Sequence, residues 1–226
     1  MNSLPLKIDL HVHTCYSWDG ATTLREVVVY ARKRGLDGVA ITDHDSVKGA
    51  VKLAKKHDFL VIPGIEVSTK RGHVLALNVT TPIPPKLSPF ETIETIHDLG
   101  GIAVAAHPTT MYKEGMRRQI TSNFDAIEVI NSSSFPFFLS TRLARRLAVS
   151  LNLPQTAGSD SHRPSDIGTA YTLIDANSEV DEVVHAIKKG ATIPFGKPIP
   201  WKARFLNVVS NPKRRRLKKA YSRSSI

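Results

Sequence analysis

Seven short β-rich runs alternate along the chain with capped helical segments, and this alternation limits the possible folds more than any other feature of the sequence. The runs are "LKIDLHV", "DGVAIT", "FLVIPGIEV", "HVLALNV", "IAVAA", "DAIEVI" and "PQTAG". Between them, "TTLREVVVYARKRG" pairs Thr23 with Glu26 as a capping box and stops at Gly35. "SVKGAVKLAKKH" offers Ser46 as an N-cap. "SPFETIETIHDLGG" has Ser88 as N-cap, Pro89 at the first helical position, Glu91 to complete the box and a glycine stop. Two more helices are expected near 137–151 and 179–190. Strands alternating with helices predict βαβ units and a parallel sheet, and seven strands favour a barrel over an open sheet.

With 226 residues the chain can bury a core without covalent staples. No apolar run approaches the roughly 18 residues of a membrane helix, so no membrane contact is expected. "MNSLPLKIDL" has none of the regions of a signal peptide, and the lone Cys15 excludes an internal disulfide. Both point to the cytoplasm. The net charge of +11 is uneven. No acidic residue follows Glu182, while residues 188–226 carry 12 Lys or Arg, so residues 1–187 are nearly neutral with 19 basic and 20 acidic side chains. The Pro-rich stretch "IPFGKPIPW" marks the end of the compact body, giving a domain over 1–200 and a basic, mobile tail over 201–226 that could contact RNA.

Side chains alternate along a strand, so in "IDLHVH" Ile8, Leu10 and Val12 are expected on one side and Asp9, His11 and His13 on the other. Two histidines on one side at a strand's carboxyl end suit two ligands of one metal ion, although an isolated H-x-H is a weak signal. The other strand ends strengthen it. The second delivers Asp43, His44 and Asp45, the third Glu66, the fifth His107, the sixth Asn131 and the seventh Asp160 and His162; His73 opens the fourth. In α/β folds ligands and catalytic groups gather at the carboxyl edge of the sheet. His57, His97 and His185 fall in or beside helical segments and read as solvated or capping residues. Cys15 reads as a small buried hydrophobe.

About five histidines with several carboxylates and no thiolate set suit Zn, Mn or Fe. They exceed what one tetrahedral ion can use, so two or three ions bridged by a carboxylate are implied. Neighbouring metal ions polarise phosphoryl oxygens and lower the pKa of bound water, which is hydrolase chemistry. The sequence has no P-loop, no G-x-G-x-x-G after a strand and no G-x-S-x-G, and so argues against nucleotide-driven, NAD-dependent and serine-hydrolase activities.

Taken in order, "DLHVHTCYSWDG", "AITDHDS", "PGIEVS", "GHVLAL", "AAHP" and "GSDSH" resemble the motif set of the PHP (polymerase and histidinol phosphatase) superfamily from about Lys7 to Gly168. The resemblance implies a distorted seven-stranded (β/α) barrel with a trinuclear metal site. Carried over by position, His11, His13, Glu66 and Asp160 hold a first ion; Glu66 bridges to a second held also by His73 and His107; Asp19, His44 and His162 hold the third. Asp9 is expected to accept from the two imidazoles and fix their tautomers, and Asp43 to do the same for His44. Arg117 and Arg118 follow the fifth strand; one is expected to grip a substrate phosphate, the alternative being a solvated pair, with Lys113 a weaker candidate.

Within the superfamily the resemblance fits phosphoesterases of small nucleotides and RNA ends, including 5′-to-3′ exoribonucleases. The spacing from Glu66 to His107 and Asp160 leaves little room for the insertion that such relatives often carry, which implies an open site. Histidinol-phosphate phosphatase is the second enzymatic reading. An RNA-binding subunit on this fold, as in ribonuclease P, is the reading from another class, but such a subunit needs no catalytic metals.

Overall fold

The structure is a computed structural model that describes residues 4–55, 59–111 and 119–200. His57, Lys113, Arg117, Arg118 and the tail from 201 onward lie outside the described residues. Strands β1 (Leu6–Val12), β2 (Gly38–Ile41), β3 (Leu60–Ser68), β4 (His73–Leu77), β5 (Ile102–Ala105), β6 (Ala126–Asn131) and β7 (Gln155–Gly158) answer to the seven expected runs. Two more, β8 (Ala170–Ile174) and β9 (Thr192–Gly196), bring the sheet to nine in the order β7-β6-β5-β4-β3-β2-β1-β8-β9. β9 takes up part of the Pro-rich stretch that reads as the end of the body. It sits at the edge of the strand order, where its Pro194 removes no interior ladder bond.

The sheet curls into a nearly closed barrel. Beyond the end of β7 the chain runs parallel to β1: Asp160 N donates to His11 O (2.8 Å), and His13 N donates to Ser161 O (3.0 Å). Further down, Thr172 Oγ1 bonds both the Ala157 amide (2.8 Å) and the Ala157 carbonyl (3.0 Å), tying β7 to β8.

The sheet is mixed rather than parallel. β1, β2 and β3 are parallel, as are β5, β6 and β7, but β4 is antiparallel to both of its neighbours and β8 is antiparallel to β1. The reason at β4 is loop length. Only residues 69–72 separate it from β3, closed by Thr69 N to Gly72 O (3.0 Å), whereas a parallel crossover needs a dozen residues or more. Gly72 turns the corner at φ +77°, in the left-handed region open to glycine. The reversal brings His73, at the amino end of β4, to the edge where its neighbours β3 and β5 present their carboxyl ends.

The helices are α1 (Leu24–Lys33), α2 (Lys48–Ala54), α3 (Pro89–Asp98), α4 (Phe137–Ser150) and α5 (Val180–Lys188). Both predicted capping boxes form: Glu26 N donates to Thr23 Oγ1 and Glu91 N to Ser88 Oγ, each at 3.2 Å, with the return bonds at 2.8 Å. The cap at α2 differs from expectation. Val47 occupies the N-cap without a side-chain bond, and the Ser46 hydroxyl accepts only a 3.4 Å contact from Lys48 N.

Apolar layers lie on both faces of the sheet. On the inner face Ile8, Leu10, Ala40, Ile62, Leu75 and Val104 pack with Val183 and Ile187 of α5. On the outer face Val12, Val39 and Ile41 meet α1 and α2, and Ile65, Val74, Ala103 and Ile127 meet α3 and α4. Val12 therefore faces away from Ile8 and Leu10. One extra residue in β1 explains this, because Asp9 pairs with Val39 but Val12 with Ile41. That β-bulge breaks the alternation. Asp9 falls on the outer face with Val39, and His11 and His13 turn inward.

Candidate metal centre

Seven segments of chain deliver polar side chains to the inner carboxyl edge, and Glu66 of β3 stands at their centre, wholly buried. Its Oε1 is 2.9 Å from His73 Nδ1 and 2.9 Å from His107 Nε2. Its Oε2 is 3.1 Å from His13 Nε2, 3.2 Å from His44 Nδ1 and 3.3 Å from His11 Nε2. Asp160 adds Oδ1 at 3.2 Å from His13 Nε2 and 3.5 Å from His11 Nε2. On the far side of His13, Asp19 Oδ2 lies 2.8 Å from His162 Nε2 and 3.4 Å from His44 Nε2.

All nine residues assigned through the motifs converge here. Three groups could each hold an ion, their donor atoms lying within 4.8 Å of one another: His11, His13, Glu66 and Asp160; His13, Asp19, His44 and His162; and His44, Glu66 and His73. The first is the set expected for the first ion. The others share His13 and His44 between neighbouring positions, which the carry-over did not, and His44 rather than the expected His107 joins Glu66 and His73; His107 lies 2.9 Å from Glu66 but falls in none of the three groups.

The donor set fits cations better than a hydrogen-bonded core. His11 Nε2 and His13 Nε2 face each other at 3.1 Å, and two neutral imidazoles presenting lone pairs at that distance repel. His73 Nδ1 is 2.9 Å from Glu66 Oε1 yet lacks the geometry of a hydrogen bond to it. Electrostatics carry the same message. Burial opposes charging His11 and His162, yet Glu128, Asp160 and Glu66 around the first and Asp19 and Asp160 around the second hold both imidazoles above their ordinary pKa. Burial likewise opposes ionising Asp19, but hydrogen bonds from His162 and His44 hold its carboxyl far below the usual range. Positive charge is wanted here, and His/Asp/Glu donors in this arrangement suit divalent ions.

Backbone strain collects at the same edge. His107 (φ 31°), Asp160 (φ 52°) and Asp45 (φ 51°), next to His44, all adopt the left-handed region that residues with a Cβ seldom enter.

The supporting residues differ from expectation. Asp9, on the far side of the bulge, accepts from Ser159 N (2.8 Å), Gly168 N (2.8 Å) and His11 N (3.3 Å), so its carboxyl ties backbone segments together rather than fixing the imidazoles. Burial pushes its pKa up to about 6 against those hydrogen bonds. Asp43 is taken up by Thr14, through N (2.6 Å) and Oγ1 (2.7 Å), and so pins the loop after β1; burial raises its pKa too. The residue that does orient an imidazole is Glu128 of β6, which sequence reasoning passed over in favour of Asn131. Glu128 Oε1 is 2.9 Å from His11 Nδ1, while Oε2 accepts from His107 N (2.8 Å) and Asn131 Nδ2 (2.9 Å). A lone glutamate within the apolar run "AIEVI" was the available signal. Asn131 acts through Glu128. His97 is half-exposed and bonds Asp125 (2.7 Å), and Cys15 is buried with its thiol pKa pushed up by that burial, both as expected.

Residues 9–134 match the family described as the PHP domain, and residues 139–192 match the PHP-associated family. The chain belongs to the PHP domain family. Over 141 residues this PHP chain is 37% identical to an uncharacterised protein of Methanocaldococcus jannaschii, covering 56% of the present chain and 82% of the other. Over 85 residues it is 39% identical to phosphoribosyl 1,2-cyclic phosphate 1,2-diphosphodiesterase of Eggerthella lenta, 34% of the present chain and 32% of that protein. In fold it is similar to a crystal structure from Bifidobacterium adolescentis, a protein proposed to be a metal-dependent phosphoesterase (TM-score 0.63, 21% identity, 81% of this chain and 98% of that one). Among the described residues of this PHP chain no helix is long and apolar enough to cross a membrane.

Proposed function

We propose that the chain is a metal-dependent phosphoesterase that hydrolyses phosphate esters of nucleotides or RNA ends with two or three divalent ions. The observation that carries this is Glu66, whose two oxygens meet five imidazoles at 2.9–3.3 Å in a water-poor setting. His11, His13, Glu66 and Asp160 would hold one ion, Glu66, His73 and His107 a second, and Asp19, His44 and His162 a third. Bound there, Mn, Zn or Fe ions supply polarisation of a phosphoryl oxygen and a water acidic enough to attack near neutral pH. The protein's own part is orientation. Glu128 fixes the His11 tautomer, Ser17 Oγ meets both His13 Nδ1 (3.3 Å) and Asp19 Oδ1 (2.7 Å), and Asp43 and Asp9 clamp the loops that carry these groups. The Eggerthella relative, named for a ribose cyclic phosphate diester, supports a ribose phosphate as substrate.

The test is elemental analysis followed by phosphate release from a panel of nucleoside monophosphates and bisphosphates, 5′-phosphorylated RNA and histidinol phosphate, with and without Mn. Uptake of two or more ions and metal-dependent release from nucleotides or RNA are expected. Turnover of histidinol phosphate alone would replace the substrate class. RNA binding with neither metal uptake nor hydrolysis would replace the enzyme reading with that of an RNA-binding subunit.

A further inference from the structure

Trp18 is a large apolar side chain left 67% exposed, and it lies against the metal centre rather than on an indifferent surface. Its indole stacks on the His44 imidazole with ring centres 5.5 Å apart and planes inclined by 23°. His44 in turn meets Glu66 and Asp19. The backbone on either side of Trp18 is fixed. Ser17, wholly buried, accepts from His44 N (3.2 Å) and donates to Asp19 Oδ1 (2.7 Å), and Asp19 is bound by His162. The indole is thus presented on a short, pinned segment, one side on a candidate ligand and the rest toward solvent. Exposing so much apolar surface forgoes burial energy, at about 25 cal/mol per Å². A rigid, flat, open aromatic beside a candidate metal centre suits a planar group joined to a phosphate.

Resting on the phosphoesterase reading above, we infer that Trp18 is a stacking platform that selects esters carrying a nucleobase beside the scissile phosphate. The phosphate would go to the centre around Glu66 and the base to the outer indole face. A free nucleotide and the terminal residue of a nucleic acid chain share this chemistry. Stacking needs only a π-face, so it selects for the presence of a base and tolerates its identity.

The test uses the full-length, Mn-loaded protein and compares kcat/KM for AMP with that for ribose 5-phosphate, which lacks only the base. Base stacking contributes about 1–3 kcal/mol, so Trp18→Ala should lower the AMP to ribose 5-phosphate ratio roughly 5- to 150-fold while Trp18→Phe retains most of it. Metal content is measured alongside, because the indole touches His44. An unchanged ratio in Trp18→Ala at equal metal content overturns the inference, leaving Trp18 as a cover for His44. A reading independent of turnover comes from a Trp201→Phe background, in which Trp18 is the one tryptophan. AMP should quench its fluorescence and ribose 5-phosphate should not; equal responses overturn the platform even if neither compound is hydrolysed. Failure of hydrolysis with quenching intact counts instead against the phosphoesterase reading. A 5′-phosphorylated dinucleotide separates the sources, since a larger loss in Trp18→Ala with it than with AMP assigns the platform to chain ends.

Discussion

Glu128 Oε1 stands 2.9 Å from His11 Nδ1 beneath the metal centre, and both side chains are buried. A carboxylate behind an imidazole sets which ring nitrogen carries the proton and which faces the ion, and its loss commonly weakens metal affinity by about 10- to 100-fold. Glu128→Ala should show that drop in titrations with Mn or Zn. Glu128→Gln should not rescue it fully. The carboxylate accepts N–H groups on both oxygens, so an amide must set its own NH2 against a donor from His107, Asn131 or His11.

Glu66→Gln should lose bound metal and activity together, by at least two orders of magnitude in kcat/KM, because one carboxylate serves more than one proposed ion. His97→Ala, whose ring is tied to Asp125 away from the cluster, should keep the metal content of the parent. Equal metal occupancy in the two variants would contradict the assignment of Glu66. Elemental analysis of the purified variants decides.

Gly158 allows β7 to approach β1. A Cβ there would overlap His11 Cβ and stand 2.8 Å from Glu128 Oε1. Gly158→Ala should therefore destabilise the fold by about 1–3 kcal/mol through overpacking and weaken metal binding as well. Denaturant melts of the apo and Mn-loaded forms separate the two effects. A change confined to apo stability would mean that His11 keeps its place.

Cys15 is buried at 7% exposure in the loop after β1. Its thiol should resist a thiol-reactive dye in the native protein and react fully in denaturant, since the reagent needs both access and thiolate. The labelling rate with and without guanidinium is the measurement.

Arg117→Ala or Arg118→Ala should raise KM for a phosphate ester several-fold with metal content intact, if a guanidinium grips the phosphate. Steady-state kinetics with parallel elemental analysis test this.

Removing residues 211–226 deletes seven basic side chains, Lys213 to Arg216, Lys218, Lys219 and Arg223, and none of the proposed ligands. Hydrolysis of AMP should be unchanged, while RNA affinity should fall and its salt dependence flatten by about 0.7 per lost single-strand contact. Isotherms at two salt concentrations decide, and superimposed curves would remove RNA from the tail's role.

Local physics made much of this protein legible from sequence. The capping boxes Thr23–Glu26 and Ser88–Glu91 close within one turn, and β2 through β6 show as mostly apolar runs because each buries both faces. The polar residues ending those runs had to meet wherever the strands ended together, and the resemblance to the PHP superfamily selected eight ligands from them and added Asp19 from the loop after β1. Other features depended on long-range pairing. Alternation alone placed Asp9 beside His11 and His13, and only the register of β1 against β2 reveals the bulge that moves it to the opposite face. Glu128 stands out only as a lone carboxylate in an apolar run, and its partner is set when β6 pairs with β7 and β7 closes against β1, which puts it under His11, 117 positions away. β8 and β9, partly exposed and interrupted by Pro194, carry weak patterns and exist as strands because β1 offers β8 a free edge. Side-chain period and caps reside in neighbouring residues; which face a residue meets, and which carboxylate answers which imidazole, is decided by strands that pair across the whole chain.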